Sequence, residues 1–172
     1  SSTEYQQENR NETTLTKIVI ADDHALIREG IKKIIRSSKD LRIAGEAAGF
    51  NELLDLIPNA QPDVVILDLS LPGYEGLAGL LELKARFPRQ CVLILSMFPE
   101  EQFAVAALRA GAAGYVTKAM AAEELIQAVR RVTSAEHDGT LDLGLAAGDA
   151  RSGVLVEHAV GDADHAHPHQ RD

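Results

Sequence analysis

The chain has little of several features that mark specialised classes of protein. A single cysteine, Cys91, occurs among 172 residues, so no internal disulfide can form and a reducing compartment, the cytoplasm, is expected. Tryptophan is absent, and no run of about 18 apolar residues predicts a membrane-spanning helix. The polar N-terminus lacks the apolar stretch of a secretory signal. The absence of these features favours one globular domain of ordinary size with additional tails.

Basic blocks are also missing, although the chain carries a net charge of −9. Residues 1–15 contain one arginine against three glutamates, and residues 134–172 contain two arginines against eight acidic residues. The middle of the chain, residues 16–133, is nearly balanced, with 14 basic and 15 acidic residues. Nucleic-acid surfaces are usually basic, so we expect no DNA binding by this chain.

Five short apolar runs alternate with amphipathic helical stretches in the middle of the chain. The runs are KIVIA (17–21), LRIAGEA (41–47), DVVILDL (63–69), CVLIL (91–95) and GYVT (114–117). Their nearly continuous hydrophobicity is typical of strands covered on both faces. Asn51 suits a helix N-cap, Pro99 a first helical position and Gly111 the residue after a helix. Five β–α repeats predict an α/β fold with a doubly wound parallel sheet.

The composition divides the chain into three parts. We expect a polar N-terminal tail at 1–15, one α/β domain at 16–133 and an acidic tail at 134–172. The last part is rich in Gly, Ala, Asp and His and is expected to be flexible, although LDLGLAA and GVLVEHAV are apolar enough to pack as short pieces. Its HAHPH string could chelate a metal, but no second anchored ligand group supports such a site. Cys91 is predicted to be a small buried apolar residue.

Polar side chains with complementary chemistry fall at the ends of four predicted strands. Asp22 and Asp23 follow the first strand, Asp68 closes the third, Ser96 closes the fourth and Lys118 follows the fifth. In a doubly wound sheet these ends lie side by side, and gathered carboxylates would repel one another without a cation such as Mg²⁺. A carboxylate there can attack phosphorus, while an ammonium and a hydroxyl bind phosphoryl oxygens. Each residue alone also fits a turn, a cap or a surface charge, but their joint placement favours phosphoryl transfer.

The same strings resemble the receiver domain of response regulators of the NarL/FixJ class. The matching segments are IVIADDHALIREGI (18–31), PDVVILDLSLPGYEGL (62–77), VLILSMF (92–98) and ALRAGAAGYVTKAMAAEELIQAV (107–129). Together they sample nearly the whole of residues 17–133, which is about two-thirds of the chain. The resemblance implies a flavodoxin-like fold, with a five-stranded parallel sheet in the order 2-1-3-4-5 and helices on both faces.

The resemblance also implies roles for individual residues of the acidic site. Asp68 corresponds to the phosphoacceptor and Lys118 to the lysine of the family pattern. Asp22 and Asp23 match the acidic pair, with Asp23 the direct Mg²⁺ ligand and Asp22 acting mostly through water. The backbone carbonyl of Ser70 is expected to complete the protein ligands of Mg²⁺.

A conformational switch is implied as well. Ser96 matches the switch hydroxyl and Tyr115 the switch aromatic, so phosphorylation is expected to draw Ser96 inward and let Tyr115 enter the vacated space. The face made by the fourth helix, fifth strand and fifth helix would change, and a homodimer could form there. Bulky Phe98 predicts a long-lived phosphoform. Ala119 stands where many receivers have proline, which leaves the conformation of that loop open.

The expected donor of the phosphoryl group is a sensor histidine kinase, docking on the first helix at Arg28, Ile31 and Lys32. The chain would then be a signalling module that catalyses only its own phosphorylation and dephosphorylation. An aspartyl-phosphate phosphatase of the haloacid dehalogenase class is an alternative, but ADDHA lacks the DxDxT-type string of that class. A phosphate-insensitive pseudo-receiver is a further alternative, disfavoured because the site positions are filled.

No string like LTxRExEVL, which begins the helix-turn-helix output domain of the NarL/FixJ class, follows residue 133. Two interpretations stay open: a stand-alone receiver, or a truncated or frame-altered form of a longer transcription factor. The change of composition near Ser134 favours the second.

Overall fold

The alternation of strands and helices is present in a computed structural model, which describes residues 15–97, 101–119, 122–138 and 154–156. The strands are β1 (Thr16–Ala21), β2 (Leu41–Ala47), β3 (Val64–Asp68), β4 (Val92–Ser96), β5 (Gly114–Thr117) and β6 (Val154–Val156). The helices are α1 (Ala25–Arg36), α2 (Phe50–Ala60), α3 (Leu77–Arg86), α4 (Glu101–Arg109) and α5 (Ala122–Asp138). Within these ranges no helix combines the length and apolar character that crossing a bilayer requires.

The sheet has the predicted topology. Strands β1 to β5 are parallel and lie in the order β2-β1-β3-β4-β5. The short strand β6, from the apolar GVLVEHAV string, adds antiparallel to the outer edge of β5 and was not predicted. Helix α5 extends five residues past the predicted boundary at 133. The rest of the predicted tail lies outside the described residues.

Two hydrophobic layers sandwich the sheet. One layer lies beneath α2, α3 and α4, and the other beneath α1 and α5. The side chains of each inner strand alternate between the layers, which explains why these strands are apolar at nearly every position. Buried residues from the helices complete the first layer with Phe50, Leu53, Ile57, Leu80, Leu83 and Ala107, and the second with Ile31, Ile35, Leu125, Ala128, Val129 and Val132.

The start of α2 differs from the prediction. The helix begins at Phe50 with Gly49 in the N-cap position, so the assignment of Asn51 as N-cap was wrong. The carboxylate of Glu52 reaches back to the N–H of Ala48 at 3.0 Å, which satisfies a donor before the first turn. The assignment of Gly111 was right, because this residue follows α4 with a φ of 108° that favours glycine. Pro99 lies outside the described residues.

The loop after β3 is fixed against the same helix. Gly73 has a φ of 118°, and a Cβ atom there would lie 2.8 Å from the Cβ of Phe50. The N–H of Phe50 donates to the carbonyl of Pro72 at 2.8 Å. Glycine is therefore required at this turn for both its backbone conformation and its close approach. The turn directs the chain away from the end of β3, where Asp68 lies.

Shortening Ile66 to valine is expected to lower the free energy of unfolding by about 1 kcal/mol. Ile66 is buried in the middle of β3, and loss of one methyl group leaves a small cavity in the α1/α5 layer. Urea unfolding followed by circular dichroism measures the change. Leu26→Ala is the matched control, because Leu26 is 88% exposed. Equal losses in the two variants would contradict the assignment of the core.

The exposed ion pair between Asp40 and Arg130 joins the start of β2 to α5, with N–O distances of 2.8 and 3.0 Å. The hydrogen bond from Arg130 lowers the pKa of Asp40 below its ordinary 3.8. The stabilisation is therefore complete above the ordinary pKa and is lost as the pH falls through the lowered one. Asp40→Asn is expected to cost less than about 1 kcal/mol at pH 7. Urea unfolding at a series of pH values should show the difference shrinking once the pH falls below 3.8, and a difference independent of pH would refute the ion pair.

Candidate functional site

The strand register brings the predicted site residues to one edge of the sheet. The residue before Asp22 pairs with the residue before Asp68, because β1 and β3 are neighbours. Ser96 lies opposite the residue before Lys118, and its carbonyl accepts the N–H of Lys118 at 2.8 Å. Since β3 and β4 are also neighbours, four strand ends form one continuous site. This is the edge at which doubly wound sheets bind ligands.

Three aspartates and a histidine are gathered there. Asp22 and Asp68 are buried, whereas Asp23 is exposed. The backbone N–H of Asp22 donates to the carbonyl of Ala47 at 3.0 Å, and its Oδ1 accepts the backbone N–H of His24 at 2.8 Å. One ligand atom from each of Asp22, Asp23, His24 and Asp68 lies within 4.8 Å of the others. The negative charge of this cluster has to be balanced by cations.

Lys118 supplies one positive charge. Its Nζ lies 3.0 Å from Oδ2 of Asp22 and 3.0 Å from Oδ2 of Asp68, so it bridges the two buried carboxylates. Burial acts to lower the pKa of Lys118, but the hydrogen bonds and attraction of the two carboxylates outweigh burial and raise it. The ammonium is therefore charged at neutral pH. Oδ2 of Asp22 has no well-aligned hydrogen bond in the described part of the chain beyond this ion pair.

Ser70 contacts the same carboxylate from the loop after β3. Its N–H donates to Oδ1 of Asp68 at 3.0 Å, and its hydroxyl lies 2.9 Å from both carboxylate oxygens. An aspartate side chain commonly accepts the backbone N–H of the residue two positions later, whatever that residue is. The role of the Ser70 carbonyl as a metal ligand stays a prediction, because the contacts described are those of its N–H and hydroxyl.

The two predicted switch residues are both buried. Ser96 borders a cavity of about 850 Å³ that opens beside Asp68, together with the β3–α3 loop and Phe103. Tyr115 is only 2% exposed and lies in the core cluster that α4 covers. An inward movement of Tyr115 would therefore start from a conformation other than this one. The switch roles stay predictions, and Phe98 lies outside the described residues.

Comparisons with known proteins agree with this geometry. The family model described as "Response regulator receiver domain" matches residues 18–130. The chain belongs to the response regulator receiver family. It is 41% identical over 121 residues to the oxygen regulatory protein NreC of Staphylococcus epidermidis, an alignment that covers 70% of this chain and 56% of that protein. The receiver thus spans about half the length of the curated relatives it matches.

Solved receiver structures show the same fold. A LuxR-family two-component response regulator from Aurantimonas is 33% identical, with a TM-score of 0.66 over 70% of this chain and 86% of that one. The signal receiver domain of the response regulator NarL from Mycobacterium tuberculosis is 31% identical, with a TM-score of 0.65 over 70% of this chain and 97% of that one. The receiver domain of the NarL/FixJ class predicted from the sequence is therefore confirmed. Such domains are signalling modules with an acidic phosphoacceptor pocket rather than metabolic enzymes.

The pocket of this receiver fits a hard divalent cation. Carboxylate oxygens from the ends of β1 and β3 converge, and the buried Oδ2 of Asp22 has no well-aligned hydrogen bond in the described residues beyond its ion pair with Lys118. Mg²⁺ prefers oxygen ligands and is usually held by one or two carboxylates with water. The donor set of Asp22, Asp23 and Asp68 therefore suits Mg²⁺, as the sequence predicted.

The predicted docking face on α1 was partly wrong. Ile31 and Lys32 are buried, and Lys32 forms an ion pair with Glu46 at 2.7 Å. Arg28 also binds Glu46, at 3.1 Å, and donates to the carbonyl of Asp22. The hydrogen bonds that Lys32 donates to the carboxylates of Glu29 and Glu46 raise the pKa of Lys32, and the one to Glu46 lowers the pKa of that glutamate. Arg28, Ile31 and Lys32 therefore hold α1 and the β1–α1 loop in place. The large apolar residue that is exposed at this end of the helix is Leu26.

His24 is the member of the site that the sequence analysis passed over. Its Nδ1 lies 3.1 Å from Asp22, 3.2 Å from Asp23 and 3.9 Å from Asp68. The histidine was visible in the DDH string, but only the contact between its ring nitrogen and Oδ1 of Asp22 shows that the ring turns back toward the carboxylates.

Proposed function

We propose that this receiver accepts a phosphoryl group on Asp68 from a phosphohistidine of a sensor histidine kinase in a Mg²⁺-dependent reaction. The observation that supports the proposal most directly is the bridge from Lys118 to both Asp22 and Asp68 at 3.0 Å. A buried carboxylate that is paired with a cation and borders an open cavity is placed to receive an anionic group.

The reaction requires a rearrangement around Asp68. One carboxylate oxygen forms a bond to phosphorus as the phosphorus–nitrogen bond of the donor breaks, and the leaving imidazole takes up a proton. The attacking oxygen must first exchange its hydrogen bond from Ser70 for the new bond. The ammonium of Lys118 can then pass from Oδ2 of Asp68 to a phosphoryl oxygen, and the hydroxyl of Ser96 can bind another.

Magnesium would be held by Asp22, Asp23 and Asp68, with the carbonyl of Ser70 as the remaining protein ligand. Bound there, the cation neutralises charge on the carboxylates and on the phosphoryl oxygens. Asp23, the exposed member of the set, is proposed as the direct ligand, and the fully buried Asp22 acts mostly through water.

Two parts of the surface are proposed as binding sites for protein partners. A kinase is proposed to dock beside the pocket at Leu26, which is exposed one turn from the acidic loop. The face of α4, β5 and α5 is proposed as the switched surface through which a homodimer could form. In a longer chain of the NarL/FixJ class this domain would regulate transcription through a helix-turn-helix domain. Placement in the cytoplasm stays a prediction.

The test is incubation with acetyl phosphate, followed by intact mass measurement and peptide mapping. With Mg²⁺ the full chain is expected to gain a single phosphoryl adduct, mapped to the peptide that contains Asp68. Removal of Mg²⁺ with EDTA is expected to abolish the adduct, because the clustered carboxylates then repel the incoming anion. No adduct at any Mg²⁺ concentration would favour the pseudo-receiver instead.

A further inference from the structure

The imidazole of His24 turns toward the acidic pocket although nothing in phosphoryl transfer requires it. Its Nδ1 lies 3.1 and 3.2 Å from carboxylate oxygens of Asp22 and Asp23. Adjacent ligands of an octahedral ion with bonds of about 2.1 Å lie about 3 Å apart. The nitrogen therefore occupies the position of one more ligand around a shared ion.

The ring is not needed to hold the loop. Oδ1 of Asp22 already accepts the backbone N–H of His24 at 2.8 Å, and the carbonyl of Asp22 accepts Arg28. The N–H of Asp22 is bound to Ala47. The main chain of Asp22 is thus fixed without the imidazole, and the contact of Nδ1 with Oδ1 of Asp22 at 3.1 Å holds the ring nitrogen at the pocket.

We propose that His24 makes this pocket a site for a borderline transition-metal ion, such as Co²⁺ or Zn²⁺, bound by one imidazole nitrogen and the carboxylates of Asp22, Asp23 and Asp68. Imidazole suits these metals, whereas Mg²⁺ prefers oxygen ligands and gains little from a nitrogen. The buried Oδ2 of Asp22, which has no well-aligned hydrogen bond in the described residues beyond its ion pair with Lys118 at 3.0 Å, is a second ligand position at the pocket. The inference rests on the proposed function, because the ion would occupy the same acidic pocket as Mg²⁺ and compete with it.

The tail must be removed as a competitor for metal without shortening the chain. The histidines at 137, 158, 165, 167 and 169 could bind Co²⁺ by themselves. The reference protein is therefore the full chain with these five histidines replaced by alanine. His24→Ala and His24→Asn are made in that background, and circular dichroism checks that each variant is folded.

Binding of Co²⁺ alone and of Mg²⁺ alone is measured by calorimetry, and bound Co²⁺ also by its visible absorption. Loss of a residue that only supports a metal ligand costs about 10- to 100-fold in affinity, so loss of a direct ligand should weaken Co²⁺ binding about tenfold or more. His24→Ala is expected to change Mg²⁺ affinity less than about threefold, because Mg²⁺ keeps its oxygen ligands. The Co²⁺ absorption band should move to longer wavelength when the nitrogen is lost, and His24→Asn should not restore it.

Two outcomes would overturn the inference. Equal loss of Co²⁺ and Mg²⁺ affinity in His24→Ala would mean that the ring only positions Asp22. An unchanged Co²⁺ spectrum would mean that the nitrogen is not a ligand. The phosphoryl adduct formed with acetyl phosphate and Mg²⁺ is measured separately on the same reference protein. If the adduct forms but His24→Ala does not weaken Co²⁺ binding more than Mg²⁺ binding, this inference is rejected and the proposed function is kept. If Co²⁺ binds through His24 but no adduct forms, the proposed function is rejected and this inference is kept.

Discussion

The Asp68→Asn variant is expected to form no phosphoryl adduct with acetyl phosphate and Mg²⁺ under conditions that label the wild-type chain completely. An amide has no negative charge and is a poor nucleophile, so the bond to phosphorus cannot form. The shape of the site should survive, because the amide oxygen can still accept the N–H and hydroxyl of Ser70, at 3.0 and 2.9 Å from Oδ1 in the wild type. Intact mass measured over the same time course gives the result.

Asp63→Asn is the matched control for this variant. Asp63 precedes the same strand, β3, but lies at the opposite end of the sheet, where its Oδ2 accepts the backbone N–H of Lys17 at 2.7 Å. The asparagine there can keep that hydrogen bond, so adduct formation should stay at the wild-type level. An adduct of wild-type size on Asp68→Asn would place the acceptor elsewhere and would reject the proposed function.

The position of the site could be predicted because it depends on few features of the chain. The apolar run before Asp68 is typical of an inner strand, and an inner strand of a doubly wound sheet ends at the ligand-binding edge. Once β1 and β3 are neighbours, the residues that follow Ala21 and Leu67 have to meet. The convergence of Asp22 with Asp68 therefore needs only the strand order and short connections.

Features that depend on individual long-range contacts could not be predicted. Lys32 falls on a polar position of α1, yet it is buried because Glu46, 14 residues away on β2, binds its ammonium while the aliphatic stem packs beneath it. The pairing of β6 with β5 needs a register that three apolar residues do not specify. The start of α2 at Phe50 was missed because Gly49 competes with Asn51 as a capping residue.

The orientation of side chains within the site was beyond the sequence as well. The DDH string placed His24 beside two carboxylates, but in an extended chain its ring could point to either side. The backbone hydrogen bond from His24 to Asp22 decides the side. Ser70 was likewise predicted for its carbonyl, whereas its N–H and hydroxyl make the observed contacts with Asp68.

Replacing Lys118 with alanine is expected to slow adduct formation about 100-fold, the usual cost of removing one donor that stabilises charge in the transition state. The ammonium is buried between Asp22 and Asp68 and can follow the negative charge onto the phosphoryl group. The carboxylates raise the pKa of Lys118 above its ordinary 10.5. Deprotonation of Lys118 should therefore not lower the wild-type rate between pH 7 and pH 9. Rates come from the time course of the mass adduct.

The Mg²⁺ affinity of Lys118→Ala distinguishes a loss of folding from a loss of function, because the two would change that affinity in opposite directions. Lys118 competes with Mg²⁺ for the same carboxylates, so Lys118→Ala should bind Mg²⁺ more tightly than the wild type. An unfolded pocket would bind it less tightly. Lys118→Arg keeps the charge and should retain more of the rate than alanine, although the planar guanidinium cannot reproduce a point charge shared by two oxygens. If Lys118→Ala forms the adduct at the wild-type rate, the phosphoryl group is accepted without the one buried cation that the described pocket contains. The bridge that Lys118 makes between Asp22 and Asp68 would then serve stability alone.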